Sequence, residues 1–189
     1  MLVVGLNGSP RRPGNSDTLL REVLRGAEEE GARTMRFDLA FMEIAPCKAC
    51  QDCFAEGRCV LQDGMSPLYE ALEAADAVVV ASPIYFSGMS AQTKAAVDRC
   101  QALWARRQVL KLPRRPGVGA IILSAARHEA RFDNALSELR AFLIGIGLRP
   151  IGKLTFGGSE KAGAAERPEV LAEARELGAA LVRALTAGP

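Results

Sequence analysis

The sequence predicts an α/β domain, a three-layer sandwich around a five-stranded parallel sheet in the order 2-1-3-4-5. Three observations predict it. Short apolar runs and helical patterns alternate five times along the chain. The apolar runs carry little polar alternation, as in strands buried on both faces. The first run opens into a loop of small and hydroxyl residues that leads into a helix, which places ligand chemistry beyond the carboxyl end of a strand. The 189 residues suit one domain, 1–189, with a cysteine-rich insertion at 45–64.

The strand candidates are Leu2–Leu6, Thr34–Leu39, Ala77–Ala81, Gly117–Leu123 and Pro150–Phe156. Between and after them lie helical patterns at about Ser16–Gly31, Met65–Ala75, Ala91–Arg107, Phe132–Gly147 and Pro168–Thr186. Gly31 and Gly147 sit where C-terminal caps belong, and Pro168 suits a first helical turn. Lys111–Pro116 and Gly157–Arg167 read as mobile stretches from their proline, glycine and charge content.

Composition narrows the class. With 49% hydrophobic residues the chain can bury a full core. A net charge of +2 with interspersed signs argues against a general nucleic-acid surface. No apolar run is long enough to span a bilayer. The start lacks the basic region of a secretory signal and reads as a strand, so a cytoplasmic setting is expected, where structural disulfides are rare. Five cysteines then need another explanation.

The first loop reads Gly8-Ser9-Pro10-Arg11-Arg12-Pro13-Gly14-Asn15-Ser16-Asp17-Thr18. Small residues let a ligand approach the backbone. Ser9, Asn15, Ser16 and Thr18 offer short donors, Arg11 offers a cation, and the helix N-terminus favours an anion. The pattern is neither G-x-G-x-x-G nor G-x-x-x-x-G-K-[ST], which disfavours a dinucleotide fold or a P-loop NTPase. The competing reading is an ordinary polar loop with Ser16 or Asp17 as helix cap. G-S-P-R-x(3)-N-S-x-T-L-L after the first strand resembles the NAD(P)H-dependent FMN reductase branch of the flavodoxin-like superfamily. The resemblance implies that Ser9, Arg11, Asn15, Ser16 and Thr18 surround an FMN phosphate.

The third strand runs into Ser82-Pro83-Ile84-Tyr85-Phe86-Ser87-Gly88-Met89-Ser90. Pro83 biases Ser82 toward extended geometry. Tyr85 and Phe86 supply flat apolar surface, while Ser87 and Gly88 supply backbone donors, a mixture suited to an isoalloxazine ring. With Lys94 and Asp98-Arg99, the segment resembles the family's second flavin-binding stretch, and Pro83, Ile84, Tyr85, Phe86, Ser87 and Gly88 are the implied ring contacts. Ser124 is the candidate contact after the fourth strand, where this chain departs from the glycines of many family members. His128, the only histidine, reads first as a solvated loop residue, with a place near the flavin as the alternative.

Cys47, Cys50, Cys53 and Cys59 form C-x2-C-x2-C-x5-C. Four thiolates this close can converge on one inorganic centre, and Gly57 permits the turn that returns the fourth. Three cysteines at spacing three also occur in bacterial ferredoxins. Zinc takes four thiolates too, although its ribbons usually separate two C-x-x-C pairs more widely. Lys48 and Arg58 would offset thiolate charge. This arrangement, followed by Asp63-Gly64-Met65 in place of D-D-M, resembles the iron–sulfur flavoproteins of the same superfamily. The resemblance implies a [4Fe–4S] cluster on these cysteines that exchanges electrons with FMN, with zinc or free thiols as alternatives. Cys100 stands apart and reads as a small buried hydrophobe.

These readings converge on an oxidoreductase in which FMN performs the chemistry and no side chain is named as catalytic. The resemblance implies NAD(P)H as electron donor, a small-molecule or protein redox partner, and a homodimer or homotetramer. Phe86, Met89 and Trp104 are the expected exposed apolar residues of such an interface. A cluster-free NAD(P)H:FMN or quinone reductase, and a non-enzymatic redox or metal sensor, are the alternative readings.

Overall fold

The central strands divide their side chains between two cores. In a computed structural model, which describes residues 1–187, β1 (Leu2–Asn7) sends Val4 and Leu6 to one face and Val3 to the other. β3 (Ala77–Tyr85) likewise sends Val78 and Val80 one way and Ala77, Val79 and Ala81 the other. Side chains that alternate yet are apolar on both sides belong in a sheet covered twice, which is why these runs lack polar alternation.

The sheet order is β2 (Arg33–Asp38), β1, β3, β5 (Val118–Ser124), β6 (Arg149–Phe156), with all neighbours parallel. The five main strands thus follow the expected order. Helices α1 (Asn15–Glu29) and α7 (Pro168–Thr186) cover one face. Helices α3 (Met65–Ala74), α4 (Ala91–Arg99), α5 (Gln101–Gln108) and α6 (Asp133–Gly145) cover the other. A single turn, α2 (Cys53–Glu56), lies in the cysteine segment. None of the described helices is long and apolar enough to cross a membrane.

Helices α1 and α7 approach with their backbones nearly in contact. A Cβ on Gly178 would collide with the Val23 carbonyl, and one on Gly26 with the Arg175 carbonyl. Glycine costs about 1 kcal/mol in a helix interior; here the close crossing requires it. Gly31 and Gly147 hold φ of 82° and 86° and end their helices as predicted.

The structure departs from the sequence reading in four places. β3 continues past Ala81 to Tyr85 and turns back into a sixth, two-residue strand, β4 (Gly88–Met89), which pairs antiparallel with it. The single helix expected over Ala91–Arg107 is two, broken at Cys100, whose N–H is shared between the Ala96 and Val97 carbonyls. The stretch 157–167 is tied down: Ser159 N–H donates to Ala125 O and Glu160 N–H to Ala126 O. In 111–116, Arg114 donates to the Leu72 and Ala75 carbonyls, both at 2.8 Å. Arg114 thereby satisfies carbonyls at the end of α3 that the helix leaves open.

Strand order reverses between β1 and β3. The loops after these two strands therefore open a crevice at their carboxyl ends, the position where such sheets bind ligands.

Candidate flavin and cysteine sites

The loop after β1 and the end of β3 line one cavity of about 410 Å³ at that crevice. Ser9, Arg11, Asn15, Ser16 and Thr18 form one side, and Pro83, Ile84 and Tyr85 form another, with Ser124 between them. Phe86, Ser87 and Gly88 do not line it. They form the hairpin beyond Tyr85, where Phe86 and Ser87 hold φ of 48° and 63° and Phe86 is fully exposed. Two consecutive positive φ values are the pattern of a type I′ turn, which usually takes Asn-Gly.

Each loop residue has a definite setting. The N-cap of α1 is Gly14, and no side chain caps the helix, so Ser16 is not spent as a cap and the first-turn N–H groups face an open position. The Ser16 hydroxyl meets Ser124 Oγ instead, at 2.7 Å. Ser9 Oγ donates to Arg11 O and accepts from Arg11 N–H, both at 3.2 Å, which shapes the turn. Asn15 Oδ1 accepts from Ala164 N–H at 2.8 Å and so anchors the 157–167 segment to the loop. That segment adds Ser159, Gly163 and Ala165 to the cavity wall, a contribution hidden by its mobile-looking composition. Arg11 is exposed and makes no ion pair among the described residues, leaving its charge available.

Asp17, wholly buried in the first turn of α1, would repel an anion if it stood alone. Its carboxylate is instead paired with Arg21 at 2.7 Å and with Arg36. Arg36 also reaches Asp38, with Nε at 3.0 Å. Burial opposes the charged form of Asp38, but hydrogen bonds from Arg36 and Asn7 overcome it and lower its pKa. Asp38 in turn receives Arg12 of the loop.

Sequence reasoning missed a buried hydroxyl network that joins the two cavity walls. Ser82, Ser90 and Thr93 are wholly buried. Ser90 Oγ donates to Gly8 O at 2.7 Å, and Ser90 N–H donates to Ser82 Oγ at 2.9 Å. Because Ser90 spends its one proton on Gly8, Thr93 Oγ1, 2.8 Å away, is the donor between those two hydroxyls. The only sequence signal was S-x-x-T at a helix start.

The four cysteines line a second cavity, about 480 Å³, together with Lys48, Phe54 and Arg99. Cys47 and Cys50 are exposed, and Cys53 and Cys59 are partly covered. Among the described residues, no three His, Cys, Asp or Glu side chains are gathered at the spacing of a single metal ion. The cysteines share a wall without meeting at a point. Burial first, and then the neighbouring thiols Cys59, Cys47 and Cys50, push the Cys53 thiol up. The backbone here is unusual. Ala49 and Gln51, flanking Cys50, hold φ of 53° and 67°. No backbone N–H from Cys47 to Cys53 has a protein acceptor among the described residues. Helix α4 connects the two sites: its N-cap is Ser90 and its last residue is Arg99.

The model of the NADPH-dependent FMN reductase family matches residues 1–163. This chain belongs to that family. An iron–sulfur flavoprotein of Methanocaldococcus jannaschii is 35% identical over 144 residues, covering 76% of this chain and 72% of that one. An iron–sulfur flavoprotein of Archaeoglobus fulgidus is 35% identical over 156 residues, covering 82% and 78%. Among solved structures, an NAD(P)H:quinone oxidoreductase from Methanothermobacter marburgensis superposes with a TM-score of 0.71 at 20% identity, covering 96% of each chain. An NADH:FMN oxidoreductase in its apo form gives 0.69 at 16% identity, covering 100% of this chain and 91% of that one. These two share the flavodoxin-like fold.

As a member of the FMN reductase family the protein is an oxidoreductase. Two residues lie outside both cavities. His128 is exposed, packs its Cβ near Gly158, and does not line the flavin-side cavity. Cys100 is buried and its thiol is pushed up to about 12 by burial, as suits a packing residue.

Proposed function

We propose that this FMN reductase family member binds FMN in the crevice after β1 and β3, accepts electrons from NAD(P)H, and passes them to an iron–sulfur centre on Cys47, Cys50, Cys53 and Cys59. The observation that carries the reading is the shared cavity. Two segments of opposite chemistry, one suited to anion binding and one to planar apolar contact, line one space at the switch point of the sheet.

The chain's own residues divide the work. The first-turn N–H groups of α1, the Ser16 and Thr18 hydroxyls and the free Arg11 hold the phosphate. Pro83, Ile84 and Tyr85 wall the ring, and the hairpin tip at Phe86, Ser87 and Gly88 closes beside it. Ser124 fixes the orientation of Ser16. No carboxylate or histidine lines this cavity among the described residues, so the protein's part is binding, orientation and exclusion of water. When bound, FMN supplies hydride acceptance and single-electron release.

The cysteine cavity fits an anionic, sulfur-bound centre. Four thiols share one wall, Lys48 and the guanidinium of the Arg99–Asp63 pair line it beside Asp98, which Lys94 pairs, and the positive-φ residues around unpaired N–H groups make the kind of backbone nest used at iron–sulfur sites. A centre with several metal corners takes ligands from a wider circle than one ion. The iron–sulfur relatives support this reading by name. The second reading, a cluster-free reductase, is favoured by the family match alone.

Anaerobic reconstitution with iron and sulfide, read by absorption and by electron paramagnetic resonance after reduction, tests the choice. Wild type is expected to take up cluster that a Cys50→Ala, Cys53→Ala variant cannot hold, with equal FMN binding by both. Equal uptake by both proteins would reject the iron–sulfur reading and leave the FMN reductase.

The reading includes a homodimer or homotetramer. Phe86 is fully exposed, and Trp104 is partly exposed beside Phe54, with ring centroids 5.9 Å apart. Met89, expected with them, is buried: its place in β4 turns it into the core under α6. Light scattering across a wide concentration range checks the assembly, and a monomer throughout would reject it.

A further inference from the structure

Arg99 is 1% exposed, an unusual position for a guanidinium. It ends α4 and is turned beneath the cysteine segment. Its Nη1 donates to Ala45 O at 2.8 Å and to Asp63 Oδ2 at 2.6 Å. Its Nη2 donates to Asp63 Oδ1 at 3.1 Å and to Leu61 O at 3.3 Å. Ala45 precedes the first of the four cysteines, and Leu61 and Asp63 follow the last. One side chain therefore grips both ends of the loop that carries all four. Asp63 closes the ring by also accepting from Ala45 N–H at 3.0 Å. The Arg99 carbonyl is fixed from the other side by the Tyr69 hydroxyl at 2.8 Å.

We propose that Arg99 is a positioning residue for the cysteine segment: it closes the 45–63 loop before any centre is bound and turns the guanidinium end of its ion pair with Asp63 toward the cavity the cysteines line. Two physical consequences follow. Bringing the ends of a flexible loop together costs conformational entropy, and a buried bidentate pair meets that cost in the folded chain rather than at the moment of metal binding. The guanidinium does not deprotonate, so the positive end of the Arg99–Asp63 pair faces added negative charge in the cavity at any working pH. Arg99 Nε is buried and has no hydrogen-bond partner, which leaves one guanidinium donor unspent.

The first consequence needs no cluster; the second rests on the iron–sulfur reading. The experiment separates them. Hydrogen–deuterium exchange over 45–63 is measured on FMN-loaded, metal-free wild type, Arg99→Gln, Arg99→Lys and Asp63→Asn. Arg99→Gln is expected to raise exchange by at least about tenfold at the hydrogen-bonded amides of this stretch, Ala45, Phe54, Ala55 and Gly57, with Lys partly restoring protection. FMN binding reports that each variant is folded. If Arg99→Gln does not fold, Arg99→Lys, whose single ammonium cannot bond Ala45 O, Leu61 O and both Asp63 oxygens at once, carries the measurement. Unchanged exchange in a folded Arg99 variant overturns the clamp. The midpoint potential of the reconstituted centre is then compared. Gln is expected to shift it to more negative values and Lys to return it toward wild type, a pattern that a loop merely held in place would not produce. Identical potentials in all three overturn the electrostatic half. Loosening of the loop in Arg99→Gln, with no iron uptake by wild type, supports the clamp and rejects the cluster.

Discussion

The Ser16 and Ser124 hydroxyls lie 2.7 Å apart in the buried floor of the flavin-side cavity. They join the loop after β1 to the end of β5. A hydroxyl donates once and accepts twice. If Ser124 donates to Ser16, the Ser16 proton is free for a phosphate oxygen; if Ser16 donates, that capacity is lost. The first arrangement is the one an anion selects.

Removing two of the loop hydroxyls, as Ser16→Ala with Thr18→Ala, therefore takes two donors from a multiply charged group. At about 1.5 kcal/mol each the loss is about 3 kcal/mol, or roughly 100-fold in Kd. A flavin titration by fluorescence checks it, and unchanged affinity would remove the phosphate from this loop. Ser124→Ala alone is expected to weaken FMN by about tenfold or less, because it acts only through Ser16.

The Ser82–Ser90–Thr93 network is expected to report on stability. Ser90 Oγ donates to Gly8 O and accepts from Thr93 N–H and Thr93 Oγ1. Ser90→Ala leaves a buried carbonyl and two donors without partners, at about 2 kcal/mol. For a domain of this size the midpoint of thermal unfolding should fall by about 4–8 °C. A shift under 1 °C would mean that water replaces the hydroxyl.

The sheet order was legible because apolar runs buried on both faces leave a plain trace, and the loop after β1 because its hydroxyl density exceeds what a cap needs. The buried network was not legible. A serine that ends a strand and a serine that starts a helix look like local devices, and only the fold brings Ser82 against Ser90. Arg99 was legible only as part of the stretch that resembles a flavin-binding segment, and its place under the cysteine loop was hidden for a related reason. An arginine reads as solvated unless its partner is known, and Asp63 lies far earlier in the chain. The 157–167 segment looks mobile by composition, and acceptors distant in sequence, the Ala125 and Ala126 carbonyls and Asn15 Oδ1, anchor it.

The hairpin tip carries backbone strain. Phe86 and Ser87 hold left-handed φ values that Asn and Gly adopt more easily. Replacing them as Phe86→Asn with Ser87→Gly is expected to raise the melting temperature of the FMN-free protein by about 2–4 °C, for about 1 kcal/mol of relief. FMN affinity should fall by about threefold to tenfold through loss of the aromatic surface beside the ring. A gain in stability with unchanged affinity would show that the tip serves something other than FMN.

Asp63 makes the cysteine segment sensitive to acid. Hydrogen bonds from Arg99 are the main cause of its low pKa, with the Met65 and Ala45 N–H groups adding to them, and together they bring it to about 2. An ordinary aspartate titrates near 3.8. A carboxyl group whose folded pKa is depressed binds fewer protons folded than unfolded, so its contribution is complete above the unfolded value. That contribution is lost as pH falls through the window from about 4 to about 2. Asp63→Asn cannot titrate and serves as the reference. Wild type is expected to unfold at a temperature about 2–4 °C above Asp63→Asn at pH 6, and the gap should close progressively below pH 4. Both proteins share every other titrating group, so the difference isolates this pair. Protection against hydrogen exchange over 45–63, taken relative to the intrinsic rate at each pH, should fall in the same window in wild type alone. A gap that stays constant from pH 6 to 2.5 would show that Asp63 does not hold its proton-free form through Arg99, and the clamp would then rest on the Ala45 and Leu61 carbonyls.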